Sequence, residues 1–151
     1  QSLLRAYVSE QGLAFIDDPT NADTRFTRNR LRHDLMPVMK RAFPSMVEAL
    51  GRTARHCAEA NQLLQALAQQ DLLTAGQPPK LAQVQSLPAA RQANLLRQWL
   101  VEEAGRAPST AQLDELRKQI AAATTRGHRI HLRVGSGWVQ RQGNVLVFMQ
   151  G

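Results

Sequence analysis

The chain has 151 residues, of which 43% are hydrophobic and 21% are charged, with a formal net charge of +7 and a pI of about 11.0. This composition is typical of one soluble domain or slightly more, and no apolar run approaches the roughly 20 residues that span a bilayer. The single Cys57 excludes an internal disulfide, and no secretory signal is present, so we expect a reducing cytoplasm and no membrane. The excess of positive charge favours a polyanionic partner such as nucleic acid.

The first predicted element is a helix over residues 2–10, where apolar residues recur at helical spacing before Gly12. Because the chain starts without Met and runs directly into this helix, we expect it to be cut from a longer protein. Residues 13–16 form a short apolar run that could be extended. The sequence from Asp17 to Asn21 then predicts a turn.

A basic helix is predicted over residues 23 to about 42, with a kink or a new segment at Pro37. From Arg25 to Arg41 the sequence has six basic residues and only one acidic residue, Asp34. The plain alternative, a solvated helix face, is weakened because few acidic i,i+4 partners are available. One face of the helix has Arg25, Arg28 and Arg32, with Asn29 beside them. Because one guanidinium group can donate two parallel hydrogen bonds to two oxygens of a phosphate, this face of the helix is predicted to bind phosphate.

Beyond Pro44 the periodicity predicts a helical body that ends in a small sheet. The expected helices lie at about 45–73, 88–103 and 109–123, with a short apolar stretch at 81–87. Strand-like alternation follows at 128–134, 138–141 and 145–148, separated by glycine turns. The predicted fold is therefore mainly α with a long central helix and a small C-terminal antiparallel β-sheet, an α+β arrangement packed on the 88–123 helices.

Patterns for catalysis or metal binding are nearly absent from the sequence. It has no Gly-rich phosphate loop, and His128 with His131 lacks a third ligand within sequence reach, so no metal site is predicted. Cys57 and Trp99 fall on apolar stripes and are expected to pack in the core. For Trp138, which has basic neighbours, we leave open stacking on a base and favour partial burial against the helices.

Two stretches resemble the bacterial tRNA(Ile)-lysidine synthetases, the MesJ cell-cycle protein family. Asp18-Pro19-Thr20-Asn21, Arg28-Asn29-Arg30-Leu31-Arg32 and Pro37 match the family signature D-P-(S/T)-N, R-N-x-x-R and P in order and spacing. Residues 87–113 and 138–141 are similar to the substrate-binding domain of that family. The two stretches together cover most of the chain.

The resemblance implies an enzyme that uses ATP and Mg²⁺ to adenylate C2 of the wobble cytidine of tRNA(Ile), after which free lysine displaces AMP. The family's ATP site has an S-G-G-x-D-S loop, which these 151 residues lack. We therefore expect no catalytic residue, metal or cofactor in this fragment, which alone would be inactive. Residues 1–43 would be the end of the catalytic ATP-pyrophosphatase domain with its connecting helix, and residues 44–151 a tRNA-binding domain.

The resemblance also implies roles for individual residues. Arg28, Asn29 and Arg32, with Arg25 beside them, would face the tRNA or the active-site cleft. Asp18, Pro19 and Asn21 would order the turn before the helix, and Trp138 and Arg141 are further tRNA-binding candidates with a less specific match.

Two other function classes fit the same residues. They are a non-enzymatic helical RNA-binding module and a protein-interaction adaptor that uses the 45–73 helix. The sequence leaves open whether the enzyme is a monomer or a homodimer.

Overall fold

The computed structural model describes residues 2–13, 19–125 and 127–151. It divides into two compact units, Gln1–Arg55 and His56–Gly151. No helix in the described part of the chain is both long and apolar enough to cross a membrane. Most of the predicted run at 13–16 and the turn residues Asp17 and Asp18 lie outside the described residues.

The first unit consists of short helical segments. They are α1 (Ser2–Glu10), a 3-10 turn (Pro19–Ala22), α2 (Thr27–Arg30), a π-helical turn (Leu31–Leu35) and α3 (Met36–Ala42). The predicted break at Pro37 is confirmed, because the Met36 amide donates to the Leu31 carbonyl and closes a wider turn just before the proline. Pro37 has no N–H to continue a regular α-helical ladder, which explains why the helix changes its winding there.

The long helix α4 (Met46–Ala75) runs from the first unit into the second. The second unit then contains α5 (Leu81–Ser86), α6 (Ala89–Ala104) and α7 (Thr110–Ala122). Ser109 begins α7 with a capping box in which its hydroxyl accepts from the Gln112 amide and the Gln112 side chain accepts from the Ser109 amide. The predicted helices are thus confirmed, and the apolar stretch at 81–87 is a short helix.

Three strands form an antiparallel sheet in the order β1 (His131–Val134), β2 (Gly137–Gln142) and β3 (Val145–Gln150). Alternation places Leu132, Val134 and Val139 on the side that packs against α6 and α7. His131, Arg133 and Trp138 lie on the opposite face because they have the other parity. The predicted small C-terminal sheet is confirmed, including its packing on the helices.

The core of the second unit is assembled from the last turns of α4, from α5 to α7 and from the inner face of the sheet. Trp99 is buried there, as predicted. Asp71 of α4 is buried as well, and its carboxylate accepts from the Arg91 guanidinium of α6. That ion pair ties two helices together, and the hydrogen bond raises the pKa of Arg91 further above its usual range.

Two sets of apolar residues at helical spacing are not buried by the described residues. Leu31, Leu35 and Val38 are exposed in residues 23–42, which we call the basic segment, and Val47, Leu50 and Leu64 are exposed on α4. Cys57, expected in the core, is also exposed. Burial on α4 is confined to its last two turns, where Leu72 and Ala75 join the core of the second unit and Asp71 pairs with Arg91 of α6.

Candidate nucleic-acid interface

A depression of about 480 Å³ lies on the surface of the basic segment. Its lining consists of Arg28, Leu31, Arg32, Met36, Pro37 and Lys40. We call it the helix depression. Three of these residues are cationic and three are apolar, and no described carboxylate forms an ion pair with the three cations. Such a surface can bind phosphate oxygens through its cations while sugar or base atoms contact its apolar side chains.

The winding of the chain brings the three cations together. Arg28 and Arg32 are one helical turn apart, and both precede the proline that restarts the helix as α3. Lys40 approaches from the last turn of α3. The sequence interpretation identified Arg28 and Arg32 but missed Lys40. The predicted break at Pro37 lies between Arg32 and Lys40, so the sequence alone does not determine on which side of the helix Lys40 lies.

Asn29 lies in a different place from the one expected for an RNA-contacting residue. Its side chain is 0% exposed, and its amide donates to the carbonyl oxygens of Thr20 at 2.7 Å and of Asp23 at 2.9 Å. A buried side chain cannot contact a phosphate on the surface, so the expected contact is replaced by a structural role. Asn29 fastens the turn to the start of the basic segment.

His33 makes a second connection of the same kind. Its Nε2 lies 3.2 Å from the carbonyl oxygen of Asn21, so the ring donates a proton from this nitrogen. Pro19 begins the 3-10 turn that presents these carbonyls, and Asp18 lies outside the described residues. The D-P-T-N and R-N stretches are therefore joined in space by the side chains of Asn29 and His33.

Arg25 is occupied by a neighbour. Its guanidinium binds both carboxylate oxygens of Asp23, with Nη2 2.8 Å from Oδ2 and Nε 3.1 Å from Oδ1. This pairing lowers the pKa of Asp23 and raises that of Arg25. Arg25 is 89% exposed at its side chain and does not line the helix depression. Of the predicted residues, the structure brings Arg28 and Arg32 together and places Arg25 outside the pair.

A second basic surface lies in the other unit. A depression of about 620 Å³ is bounded by residues 127–131, by Gln140 and Arg141 of β2 and by Gly143 in the turn before β3. We call it the tail depression. Its charged and titratable lining is basic throughout, from His128, Arg129, His131 and Arg141. It is therefore a second candidate site for an anion.

Arg141 forms part of the wall through hydrogen bonds within the chain. Its Nη1 donates to the carbonyl oxygen of Thr125 at 2.7 Å, and its Nε donates to that of Gly143 at 2.8 Å. The guanidinium thus fixes the segment before β1 against the β2–β3 turn. Its predicted contact with tRNA stays a prediction.

Trp138 lies on the outer face of the sheet. Its ring stacks on the imidazole of His131, with centroids 4.3 Å apart and planes 6° from parallel, and the Arg133 guanidinium carbon is 6.0 Å from the ring centroid. Trp138 is half-buried. The favoured interpretation, burial against the helices, is wrong, because the parity of β2 directs Trp138 away from them and toward the side chains of β1.

The sequence interpretation missed Arg129 and Arg133 and left His128 and His131 without a role. A signal was present, since no Asp or Glu occurs after Glu115 while Lys and Arg continue to residue 141. Because residues 116–151 contain basic side chains and no carboxylates, the surface that they form is predicted to be cationic.

Comparisons with known proteins identify two matched stretches of the chain. Residues 80–147 match the family model described as the TilS substrate binding domain, and residues 1–39 match the PP-loop domain model. The chain is 48% identical over 147 residues to the tRNA(Ile)-lysidine synthase of Polaromonas naphthalenivorans, which covers 97% of the chain. It is 46% identical over 119 residues to the tRNA(Ile)-lysidine synthase of an Azoarcus strain, a match that covers 78% of the chain. It is 35% identical over 122 residues to the tRNA(Ile)-lysidine synthase of Coxiella burnetii, a match that covers 80% of the chain.

The chain spans less than half of the length of each of these relatives. The matched part is 44% of the Polaromonas protein and 27% of each of the other two. The helix depression lies in or next to the part matched by the PP-loop domain model, and the tail depression lies within the part matched by the substrate binding domain model.

Proposed function

Because the chain belongs to the tRNA(Ile)-lysidine synthase family, we propose that it is the tRNA-binding portion of an ATP-dependent ligase that joins lysine to C2 of the wobble cytidine of tRNA(Ile). Support comes from the two matched family models and from the two basic depressions, one within or beside each of the matched stretches. In the proposed reaction the cytidine is activated as an adenylate, and the lysine amino group displaces AMP.

The observation on which the tRNA contact depends is the helix depression. Arg28, Arg32 and Lys40 line it together with three apolar residues, and no described carboxylate forms an ion pair with them. An RNA backbone supplies the matching oxygens, and its ribose carbons match the apolar lining. The chain is thus proposed to bind RNA mainly through phosphates, which sets orientation and register.

ATP, Mg²⁺ and free lysine are proposed for the whole enzyme, which we place in the cytoplasm. Among the described residues, no cluster of three or more His, Cys, Asp or Glu side chains could hold a metal ion. A homodimer is compatible with the proposal but is not required by it.

The proposal is tested by two measurements on the same preparation. Transfer of labelled lysine to a tRNA(Ile) transcript in the presence of ATP reports the ligase activity of the whole enzyme. The salt dependence of tRNA binding reports phosphate contacts, because each one releases counterions and steepens the fall of log K with log salt. Binding that is insensitive to salt would exclude the phosphate contacts, and salt-sensitive binding by a whole enzyme that transfers no lysine would indicate a non-enzymatic RNA-binding module instead.

A further inference from the structure

We propose that the tail depression binds one backbone phosphate of an RNA, with His128, Arg129 and His131 as the donors. The proposal rests on the proposed function, since the anion is a phosphate of the RNA that the chain is proposed to bind. It assigns a role to two histidines and an arginine that lie outside the helix depression.

The charge around the tail depression favours an anion. All four ionisable side chains that line it are basic, and the sequence has no Asp or Glu after Glu115. Arg129 is exposed, and its guanidinium makes no hydrogen bond or ion pair with another described residue. Its paired N–H groups are therefore available for two oxygens of one phosphate.

The depression is built by the chain itself and does not need a ligand to form. Arg141 donates to the Thr125 and Gly143 carbonyls and lies 3.4 Å from that of His128. These bonds commit Nε and Nη1 of Arg141 to the wall of the depression, so we do not count Arg141 among the phosphate ligands. Its charge nevertheless stays in the wall, where no described carboxylate neutralises it.

His131 is held between the stack and the depression. One face of its imidazole lies against Trp138, and His131 also lines the depression, which Trp138 does not. A parallel stack covers a face of the ring and leaves open its edge, where both nitrogens lie. The backbone is fixed as well, because the His131 amide donates to Gln119 Oε1 at 3.0 Å.

This arrangement favours a phosphate over a stacked base. The Trp138 ring already has His131 against one face and the Arg133 guanidinium near it. The indole therefore orients His131, and we infer that it is a positioning residue. A base-binding platform would instead present the open face of an aromatic ring to solvent.

The test uses an RNA stem-loop as the probe and two variants that remove donors. Arg129→Ala should weaken stem-loop binding by roughly ten- to a hundredfold, as expected for the loss of hydrogen bonds to a charged group. It should also flatten the slope of log K against log salt by about 0.7–0.9, because one phosphate contact is lost. His131→Phe keeps an aromatic ring on Trp138 but removes the ring N–H groups, and it should weaken binding while leaving the thermal midpoint unchanged.

Arg97→Ala is the matched control, since Arg97 is an exposed arginine of the same unit outside the depression. At equal ionic strength, inorganic phosphate should compete with the stem-loop for the wild-type protein better than chloride does, and this advantage should disappear in Arg129→Ala.

Three results would overturn the proposal. The first is wild-type affinity in both donor variants. The second is an Arg129→Ala effect no larger than that of Arg97→Ala. The third is full binding by His131→Phe with loss of binding in Trp138→Ala, which would indicate base stacking instead. Failure of the wild-type protein to bind the stem-loop at all would count against the proposed function itself.

Discussion

Asn29 shows how one buried amide can hold a surface site in shape. It lies between two arginines in sequence, yet its side chain points inward and donates to two carbonyls of the preceding turn. Its neighbour Arg28 is thereby directed to the surface, since adjacent residues of a helix point in different directions. We therefore expect Asn29 to place Arg28 and Arg32 in an RNA complex rather than to contact the RNA.

We predict that Asn29→Ala destabilises the Gln1–Arg55 unit by about 1–3 kcal/mol, because a buried hydrogen-bonding side chain is removed. Asn29→Asp should cost at least as much, since it places carboxylate oxygens opposite the carbonyls of Thr20 and Asp23. Amide exchange of residues 20–33 gives the free energy of local unfolding. Asn61→Ala, on the exposed part of α4, is the control. If the amides of residues 20–33 were equally protected from exchange in Asn29→Ala and Asn61→Ala, Asn29 would have no structural role.

The paired replacement of Arg28 and Arg32 by Ala tests the helix depression. We expect weaker binding across tRNA sequences and a salt slope that is flatter by roughly one to two units, since phosphate contacts hold no sequence information. Arg30→Ala is the control, because Arg30 does not line the depression and its Nε lies 3.4 Å from the Thr24 carbonyl. Unchanged affinity and slope with a lowered melting temperature would leave the arginines with a structural role only.

The Asp23–Arg25 pair predicts a pH effect with a defined sign. Because Arg25 lowers the pKa of Asp23, the pair stabilises the folded chain above the ordinary Asp pKa of about 3.9 and ceases to do so as the pH falls through the lowered value. Arg25→Ala should return the pKa of Asp23 toward its ordinary value. A carboxyl-detected NMR titration measures it, and an unshifted Asp23 in the wild-type protein would show that the pair does not form in solution.

At the scale of elements, the helices and strands could be predicted from periodicity, whereas burial could not. The alternation of residues 128–134 predicted strand, and the capping residue Ser109 predicted the start of α7, because both signals are local. Which part of α4 is buried depends on where α5 and α6 pack, and the local sequence of α4 does not specify those positions. The same reason explains why Trp138 was expected on the wrong face and why Asn29 was expected on the surface.

Gly137 begins β2 at a position that leaves no room for a side chain. A Cβ there would overlap the carbonyl oxygen of Met149 and the ring of Phe148. We predict that Gly137→Ala destabilises the His56–Gly151 unit by about 1–3 kcal/mol through overpacking, measured by denaturant unfolding.

Gly51→Ala is the opposite case and serves as the control. The added Cβ meets nothing within 4 Å, and the residue lies within α4. It should stabilise the chain by up to about 1 kcal/mol through helix propensity. A neutral Gly137→Ala would mean that β3 can shift away from β2.

At the scale of the whole molecule, the two basic depressions lie in two different compact units. The sequence resemblance predicted the tRNA(Ile)-lysidine synthase family, and the comparisons confirm that family. The positions of the sites within the units needed the structure, because Lys40 and Arg129 come together with their partners only after folding.

We predict that the 151-residue chain by itself binds tRNA with a steep salt dependence and transfers no lysine. Its sequence has no S-G-G-x-D-S loop to hold the ATP phosphates. The assay is incorporation of labelled lysine into tRNA(Ile) with ATP, alongside a binding titration at several salt concentrations. Lysine transfer by this chain alone would contradict the prediction, as would binding that does not weaken with salt.

The fastening of the basic segment has a kinetic consequence. The bonds from Asn29 and His33 connect residues only 6, 9 and 12 positions apart. Loops of this size close within about 10–100 ns and at a small entropic cost, whereas Gln85 of the second unit bonds to Ala123, 38 positions away. The contact order of the segment is therefore low, and we expect it to acquire its shape early in folding, before the long-range contacts of α5, α7 and the sheet.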